Sequence, residues 1–431
     1  WAKRVKWVGD EFFLEDIVPG AFGEVRKLIP YKQGQFEKMF GKNFWQKLTL
    51  HTAFANIPNH FNYCQIIERE GSPHPYYNRY FPFPHVPKEG SWGTIMELLL
   101  HIFGTTPVRH GLTGKEYAPV ELALDYIQIL LMQPTQMLPI LCLYSPENNT
   151  GKSTLGKLLM AMFGDNVIPI GNHDLQSEFN DTFVDKLLAV CDETLLERKR
   201  DAERLKALST AEKITVNPKG QKQYSIDFFC KFLFTSNNLR MVYVSKHDQR
   251  YWINQVPVLT KENPNMLDDM KLEIPAFVHA LMNRKLATEK EGRMWFHPSL
   301  IRTRLFQEMV RVNEPGDATN MREQLREWFV QDSELKEIRM TLKEIKQEFL
   351  TDRASVAWVK ELLKDYLCAD HVRHPLSGEA VFERGYYTKY EKYTNTDGEE
   401  DIRVVRKPYR GNPYLFRREM FLAEGEVKYD N

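Results

Sequence analysis

The sequence predicts an α/β fold in which a parallel sheet with crossover helices is followed by a smaller α+β domain. Between residues 138 and 258, short apolar runs alternate with helical segments, which is typical of such a sheet. A Gly-Lys-Ser tripeptide at residues 151–153 links the first apolar run to an amphipathic helix. Beyond residue 314, helical segments precede a stretch rich in Tyr, Arg and Gly, which indicates helices followed by a β-ribbon.

Four regions are predicted from the residue types along the chain. Residues 1–90 are rich in aromatic residues and in prolines, which resist regular helix and strand interiors. Residues 91–135 hold two helices and form a helical collar, residues 136–313 hold the α/β core, and residues 314–431 form a winged-helix-like domain. The predicted strands of the core are residues 138–144, 187–191, 229–235 and 251–258. The predicted helices outside the core are residues 95–103, 120–132, 321–330, 341–349 and 356–366.

Composition limits the possible partners and compartments. The 431 residues include 58 Lys and Arg and 58 Asp and Glu, so any affinity for nucleic acid must come from local basic patches. The five cysteines are scattered without a CxxC pair, and this spacing predicts buried thiols in a reducing compartment rather than a zinc site. Glu121 and Asp125 interrupt the longest apolar stretch, which is therefore an amphipathic helix and not a membrane span.

Residues 145–154 read Ser-Pro-Glu-Asn-Asn-Thr-Gly-Lys-Ser-Thr and have the sequence context of a P-loop. In such a loop the backbone amides and the helix N-terminus bind phosphate oxygens, Lys152 neutralises their charge, and the Ser153 hydroxyl coordinates Mg²⁺. The tripeptide alone occurs by chance in about one chain in five of this length, so its context carries the argument. The predicted ATP-binding residues are Asn149, Thr150, Gly151, Lys152, Ser153 and Thr154.

The loop departs from the consensus at its first glycine. Ser145 or Pro146 stands at that place. Asn148 and Asn149 can supply the left-handed backbone that the glycine would otherwise provide, because Asn tolerates positive φ better than other non-glycine residues. The missing glycine affects the expected geometry of the loop but not the assignment of Lys152.

The second motif is an apolar strand that ends in two acids, about forty residues after the loop. The strand at residues 187–191 leads directly into Asp192 and Glu193, the form of a Walker B motif. A buried strand would hold Asp192 near a magnesium ion, and Glu193 would polarise the water that attacks the γ-phosphate. An isolated Asp-Glu pair is more often an acidic turn at a helix start, but the preceding P-loop favours the catalytic interpretation.

Two further candidates follow the third and fourth strands. Asn237 comes at the end of the third strand, where an amide can hydrogen-bond the attacking water or the γ-phosphate. A polar turn is the alternative there. Arg250 precedes the fourth strand, where a guanidinium can reach a neighbouring subunit's ATP as an arginine finger. Its alternative role is a surface salt bridge of little energetic weight.

The order of P-loop, Asp-Glu, basic hairpin, strand ending in Thr-Ser-Asn, and Arg resembles the superfamily 3 helicases of small DNA viruses, poxvirus-like primase-helicases and phages. Residues 216–227 are similar to the B′ motif of parvovirus Rep helicases, a hairpin that projects into the channel of a hexamer and contacts nucleic acid. The resemblance assigns DNA binding to Lys219 and, second, to Lys222. Residues 198–222 hold eight basic and three acidic side chains, and such an excess can neutralise phosphates without reading sequence.

The resemblance implies an AAA+ core, a homo-hexameric ring, ATP with Mg²⁺, 3′ to 5′ translocation on single-stranded or forked DNA, and a role in DNA replication in the host cytoplasm. A primase domain or replication proteins are implied partners. Residues 1–90 contain no Asp-x-Asp pair on a strand, and the chain begins at Trp1, so a primase would lie upstream. The basic and aromatic run at residues 403–418 is either a nucleic-acid contact or the surface of a β-ribbon.

Two other functional classes stay open. A nucleotide-gated module could bind or load DNA without unwinding it, and the missing loop glycine keeps this hypothesis in play. A P-loop kinase would need an acceptor pocket, and the basic hairpin and winged-helix-like domain argue against it.

Overall fold

The chain folds into two compact units. The computed structural model describes residues 1–20, 23–177, 182–196, 198–216, 223–246, 248–260, 263–350, 354–396 and 399–422. The first unit comprises Trp1–Val244 and Asp248–Met309, and the second comprises Ser245–His247 and Val310–Asn431.

The first unit begins with a small mixed sheet and a helix. The elements are β1 (Val5–Val8), β2 (Glu11–Gly20), β3 (Gly23–Tyr31), α1 (Gln33–Phe40) and β4 (Leu50–His51), with strand order β3-β2-β1-β4. Phe12, Phe36 and Phe44 form its core, with ring centroids 5.0 to 6.0 Å apart. None of these strands was predicted from the sequence. Pro30 lies in β3, which is an edge strand, the place within a sheet where proline is tolerated.

A second small sheet leads to the two predicted collar helices. Its strands are β5 (Phe54–Ala55), β6 (Ile66–Ile67) and β7 (Tyr76–Asn78), in the order β5-β7-β6. Two helices follow, α2 (Gly93–Phe103) and α3 (Pro119–Met132), separated by the hairpin of β8 (Val108–Arg109) and β9 (Glu116–Tyr117). Both helices were predicted. Their apolar faces bury Leu98, Leu99 and Leu130 in the same hydrophobic core as the central sheet.

The central sheet has five parallel strands with short helices between them. The segment that builds it contains β10 (Ile140–Tyr144), α4 (Lys152–Phe163), β11 (Val167–Pro169), α5 (Asn172–Gln176), β12 (Leu188–Cys191), α6 (Lys199–Leu208), β13 (Lys213–Val216), β14 (Tyr224–Asp227), β15 (Lys231–Ser236) and β16 (Tyr251–Gln255). Strands β13 and β14 form a separate two-stranded sheet, and the other five strands form the central one. The order is β11-β12-β15-β10-β16. The four predicted strands are confirmed as β10, β12, β15 and β16, and β11 was not predicted. The α/β class with a parallel sheet is therefore confirmed.

The strand order decides which loops meet. Strand β15 lies between β12 and β10, so the segments that follow these three strands emerge side by side at one edge of the sheet. The strands are buried almost throughout, as expected for a parallel sheet covered on both faces. The first unit continues through α7 (Met266–Asn283), α8 (Pro298–Ile301) and the start of α9 (Arg304–Val312).

The second unit combines helices with a three-stranded sheet and a long β-ribbon. It contains α10 (Gly316–Gln331), β17 (Glu337–Met340), α11 (Leu342–Phe349), α12 (Val356–Glu361), β18 (Asp370–His371), β19 (Glu383–Thr394), β20 (Glu400–Gly411) and β21 (Tyr414–Arg417). Helix α12 continues as a π-helical turn, Leu362–Tyr366. The sheet order is β17-β21-β18, and β19 pairs with β20 alone. The predicted three helices and the β-ribbon are thus present.

The cysteines only partly follow the prediction of buried thiols. Cys142, Cys191 and Cys230 are buried, as their apolar surroundings predict, whereas Cys64 and Cys368 are exposed. The prediction was wrong for these two because neither lies within a strand of the buried sheet. Across the described residues, no helix has both the length and the apolar character needed to cross a bilayer.

Candidate functional site

The loop between β10 and α4 has the left-handed turns that a phosphate loop requires. Gly151 caps α4 with φ 83°, and Asn149 has φ 53°. The expectation that an asparagine replaces the missing glycine is confirmed for Asn149 but not for Asn148, whose φ is not positive. The positive φ favours glycine at position 151, and an added Cβ would also crowd Leu98 Cδ1 at 3.2 Å.

Lys152 begins α4 and points back into the loop. Its Nζ donates hydrogen bonds to the carbonyl oxygens of Glu147 at 2.9 Å and Ser145 at 3.3 Å. Partial burial lowers the pKa of Lys152, and the nearby Asp192 carboxylate opposes this shift. The ammonium group thus donates to neutral carbonyl oxygens. Phosphate oxygens can replace them, because charged acceptors form stronger hydrogen bonds.

Asp192 is held by hydroxyl groups from two other elements. Ser153 Oγ, in the first turn of α4, donates to Asp192 Oδ2 at 2.8 Å. Thr235 Oγ1, near the end of β15, donates to Asp192 Oδ1. The structure therefore brings the Gly-Lys-Ser helix, the Asp-Glu strand end and the third strand together at one point, as the strand order requires.

Glu193 has an unusual backbone conformation and an exposed side chain. Its φ is 53°, a left-handed value that non-glycine residues adopt at a cost, and such strain clusters at functional sites. Its amide donates to Asp192 Oδ1 at 3.2 Å, and its carbonyl oxygen accepts from Asn172 Nδ2 at 3.2 Å. Asn172 also accepts from the Leu195 amide at 3.0 Å, so this side chain holds the turn and leaves the Glu193 carboxylate exposed.

Asn237 contacts the phosphate loop directly. Its Nδ2 donates to Asn148 Oδ1 at 2.7 Å. The backbone connection is equally close, since the Ser145 amide donates to the Ser236 carbonyl oxygen at 3.2 Å. The third strand end thus joins the loop on one side and Asp192 on the other.

His101 also contacts this loop, although its sequence context did not predict it. His101 Nε2, on α2, lies 3.1 Å from the Thr150 carbonyl oxygen, where the ring nitrogen is the donor. Thr150 is buried, and within the described chain its Oγ1 has no hydrogen-bond partner. Thr154 lies in the first turn of α4 and is half-buried. No local sequence signal marks His101, because its contact spans 49 residues.

Arg250 is not brought to the site of its own chain. The Ile140 amide donates to the Arg250 carbonyl oxygen at 2.7 Å, so Arg250 lies where the parallel strands begin. Lys152 and Asp192 lie where the strands end. The Arg250 side chain is 39% exposed and 4.0 Å from Asp248, which Lys206 holds more closely at 2.8 Å.

The predicted DNA-binding residues Lys219 and Lys222 lie outside the described residues. The strands that flank them pair antiparallel from Lys213 opposite Asp227 to Val216 opposite Tyr224, which is the pairing of a hairpin.

The side chains at the strand ends are suited to a hard cation. A hydroxyl and a carboxylate are the oxygen ligands that Mg²⁺ takes in nucleotide sites, where phosphates and water complete the shell. In the described part of the chain, no group of three or more His, Cys, Asp or Glu side chains is placed to hold a metal ion. A magnesium site that shares its ion with a nucleotide needs only one such carboxylate, and Asp192 is the carboxylate in contact with Ser153.

Comparisons with known proteins connect the chain to a phage protein. Residues 143–250 match a family of unknown function, DUF5906. The chain is 27% identical over 125 residues to a DNA primase-polymerase of Nitratiruptor phage NrS-1. This match covers 28% of this chain and 17% of that protein, so the chain aligns with about a sixth of its relative's length.

Solved structures of the same phage protein share the fold over most of this chain. An apo structure of the NrS-1 C-terminal region matches with a TM-score of 0.59 at 16% identity, over 88% of this chain and 95% of that one. A second apo form matches with a TM-score of 0.58 at 18% identity, with the same coverage. At these identities the likeness is one of fold.

Proposed function

We propose that this chain is an ATP-dependent helicase or translocase of a phage, virus or mobile element, acting in DNA replication as the helicase part of a primase-helicase. One observation carries the proposal. Asp192 accepts hydrogen bonds from both Ser153 and Thr235, and Lys152 begins the same helix as Ser153. This arrangement joins a phosphate loop to a carboxylate at the edge of a parallel sheet, as ATP hydrolysis requires.

Each side chain has a part in this proposal. Lys152 and the backbone amides of residues 149–154 bind the phosphates of ATP, while Ser153 and Asp192 hold Mg²⁺, which neutralises phosphate charge. Glu193 accepts a proton from the attacking water, and its exposed carboxylate beside Asp192 supports this role. Asn237 orients the water or the γ-phosphate from the neighbouring strand end.

The overall arrangement supports an AAA+ core of the superfamily 3 type that assembles as a homo-hexamer. Strand β15, which precedes Asn237, lies between the P-loop strand β10 and strand β12, which precedes Asp192. Arg250 lies at the far end of the strands from its own P-loop, so we assign it to the ATP of a neighbouring subunit. The helices α10 to α12 with the β19–β20 ribbon support a winged-helix-like domain. Lys219 and Lys222, between β13 and β14, are the proposed DNA contacts in the ring.

A second candidate function is a nucleotide-gated DNA-binding or loading module without unwinding activity. The loop that lacks its first glycine, with Pro146 in that region, favours this alternative because an altered cradle can bind nucleotide without turning it over. The two candidates differ in hydrolysis.

Steady-state ATP hydrolysis, with and without single-stranded DNA, distinguishes the two functions. We expect hydrolysis that DNA stimulates, and we expect Glu193→Gln to reduce turnover by about 10²- to 10⁴-fold, the usual contribution of a general base. The variant should still bind ATP, because its phosphate contacts are unchanged. Nucleotide binding without turnover in the unsubstituted chain would instead establish the loading module.

A further inference from the structure

The β19–β20 ribbon of the second unit has two faces with different charge. The strands pair in register over twelve residues, from Glu383 opposite Gly411 to Thr394 opposite Glu400. Side chains alternate between the faces along each strand, and directly paired residues share a face. The register therefore assigns every ribbon residue to an inner or an outer face.

The inner face is buried at its base and balanced in charge. Tyr387 and Tyr409 are buried in the core of the unit. Glu348 on α11 accepts from Lys389 Nζ at 2.6 Å and from Lys407 Nζ at 2.7 Å. The charged residues of this face are three acids and three bases: Glu383, Glu391, Asp401, Lys389, Arg403 and Lys407.

The outer face is basic. Its charged residues are four bases and one acid: Arg384, Lys392, Arg406, Arg410 and Glu400. Lys392 lies 3.6 Å from Glu327, but within the described residues none of the three arginines forms an ion pair. Arg384 lies directly opposite Arg410, and like charges in that position destabilise a ribbon. An uncompensated cost of this kind points to an anionic partner.

Two exposed aromatic rings lie among these arginines. Tyr386 and Phe382 are each 62% exposed, which is unusual for large rings in a soluble fold. The guanidinium of Arg406 lies 4.9 Å from the ring centre of Tyr386, and that of Arg410 lies 5.8 Å from the ring centre of Phe382. We call Arg384, Arg406, Arg410, Tyr386 and Phe382 the arginine–aromatic face. Each ring keeps a surface open for stacking.

We propose that the arginine–aromatic face binds single-stranded nucleic acid, with phosphates on the arginines and unpaired bases stacked on Tyr386 and Phe382. Single strands offer both a repeating anion and exposed flat rings, whereas a duplex hides its bases and an acidic peptide has no need of the aromatic platforms. The two rings are four positions apart, about 13 Å along a strand. This site lies outside the ATP-binding region and goes beyond the proposed motor.

The same geometry divides the basic run of residues 403–418 into two classes. Arg403 donates to Glu391 at 2.6 Å, and Lys407 is held by Glu348. Arg418 donates to the carbonyl oxygens of Phe329 and Asp332. These side chains serve the fold. Arg406 and Arg410 are the members of the run that the proposal assigns to nucleic acid.

The test measures fluorescence anisotropy of a labelled 20-residue oligothymidine with the whole chain and no nucleotide. We expect a triple variant, Arg384→Ala with Arg406→Ala and Arg410→Ala, to bind the oligonucleotide more weakly. The slope of log Kd against log salt concentration should fall by about two, because each of the three lost phosphate contacts contributes about 0.7 to it. Tyr386→Ala should weaken binding about fivefold or more, and Tyr386→Phe should restore it, because the ring is retained.

The matched control removes the same charge elsewhere, by Lys271→Ala with Arg293→Ala and Arg304→Ala, three exposed bases of the first unit. Equal binding by the two triple variants would overturn the proposal. A second result would also overturn it. In that result, labelled polyglutamate binds tightly to the unsubstituted chain but not to the arginine variant, and Tyr386→Ala leaves oligothymidine binding unchanged. Because the assay contains no ATP and can be repeated in Lys152→Ala, its outcome is independent of whether the chain hydrolyses nucleotide.

Discussion

Two hydroxyl groups fix the orientation of Asp192, and only one of them belongs to the P-loop. Thr235 Oγ1 donates to Oδ1, which leaves Oδ2 to face Ser153. Residues that orient a metal-binding carboxylate commonly change metal affinity or activity by 10- to 100-fold when they are removed. We expect Thr235→Val to raise the Mg²⁺ concentration needed for half-maximal ATP hydrolysis by about this factor.

Thr235→Ser is the matched control, since it keeps the hydroxyl and removes only a methyl group. For Thr235→Ser, the Mg²⁺ concentration needed for half-maximal hydrolysis should be close to that of the unsubstituted chain. Identical titrations for Thr235→Val and the unsubstituted chain would show that the hydroxyl has no part in orienting the carboxylate.

Lys231 is a buried base within the central sheet. Burial lowers its pKa from 10.5 to about 7, and its Nζ donates to the Pro134 carbonyl oxygen. Between pH 7 and 10.5 the unfolded chain holds this proton and the folded chain does not, so folding becomes more favourable as pH rises. We expect the free energy of unfolding of the unsubstituted chain to gain up to about 1.4 kcal/mol per pH unit over this window, relative to Lys231→Met.

Urea unfolding of both proteins at pH 7, 8, 9 and 10 measures the difference. Other groups titrate alike in the two proteins, so their contributions cancel. Parallel stability curves would show that Lys231 keeps its proton in the folded state.

At this scale the sequence predicted the residues that lie in contiguous motifs and missed those joined by tertiary contact. Lys152, Ser153 and Asp192 follow from local order, and Asn149 follows from the conformational preference of asparagine. The hydrogen bonds of Thr235 to Asp192 and of His101 to Thr150 span 43 and 49 residues. The strand order brings the first pair together, and the packing of α2 against the phosphate loop brings together the second.

Among the elements, the P-loop helix lies very close to the Walker B-like strand. A Cβ added to Gly156 of α4 would lie 2.8 Å from Val190 Cγ1 of β12, closer than side chains tolerate. We expect Gly156→Ala to lower the free energy of unfolding by about 1–3 kcal/mol, the usual cost of overpacking a core. Urea unfolding measures the loss, and the double variant with Val190→Ala should recover part of it.

Gly34→Ala is the control for this substitution. Gly34 lies in α1 with no atom within 4 Å of the added Cβ, so the same change there should stabilise by about 0.4–1 kcal/mol. A Gly156→Ala protein as stable as the unsubstituted chain would mean that helix and strand separate without cost.

Elements with a long, regular pattern of apolar residues were predictable from the sequence. Short elements, and elements that mix apolar with charged residues, were not. Helices α2 and α3 bury apolar residues at helical spacing, and the strands β10, β12, β15 and β16 each contain an unbroken run of at least three buried residues. Strand β11 is only three residues long and ends in Pro169. Strand β2 has no regular alternation, because the apolar run at residues 12–14 is followed by two acids, Glu15 and Asp16, and the strand ends in Pro19 and Gly20, so its pattern did not indicate a strand.

For the whole molecule, the position of Arg250 makes assembly a testable requirement. If it serves a neighbouring subunit, Arg250→Ala and Lys152→Ala should each abolish hydrolysis, since each removes one half of every shared site. In an equal mixture, an intact Lys152 should meet an intact Arg250 at about one interface in four when subunits combine at random. We expect partial recovery of ATP hydrolysis in the mixture.

Recovery should also disappear on dilution below the concentration at which the subunits associate. Hydrolysis by Arg250→Ala alone at the unsubstituted rate would exclude the arginine-finger role. A mixture that stays inactive, although sedimentation shows mixed assemblies, would place the arginine's function within its own chain.

The whole-molecule class was predictable because alternation of strands and helices over residues 138–258 is a long-range pattern. The α/β class and the later helices with a ribbon are confirmed, whereas the predicted boundaries at residues 90, 135 and 313 stay predictions. The ribbon faces were not predictable, because a shift of one residue in register exchanges them.

Because the five thiols differ in burial, each compact unit has one exposed, reactive cysteine. Cys64 in the first unit and Cys368 in the second are exposed, while burial raises the pKa of Cys142, Cys191 and Cys230 and keeps them protonated. A maleimide dye should therefore add twice per native chain, and five times after denaturation, as read by intact mass. Donor and acceptor fluorophores would then report the separation of the two units in single molecules without engineered cysteines.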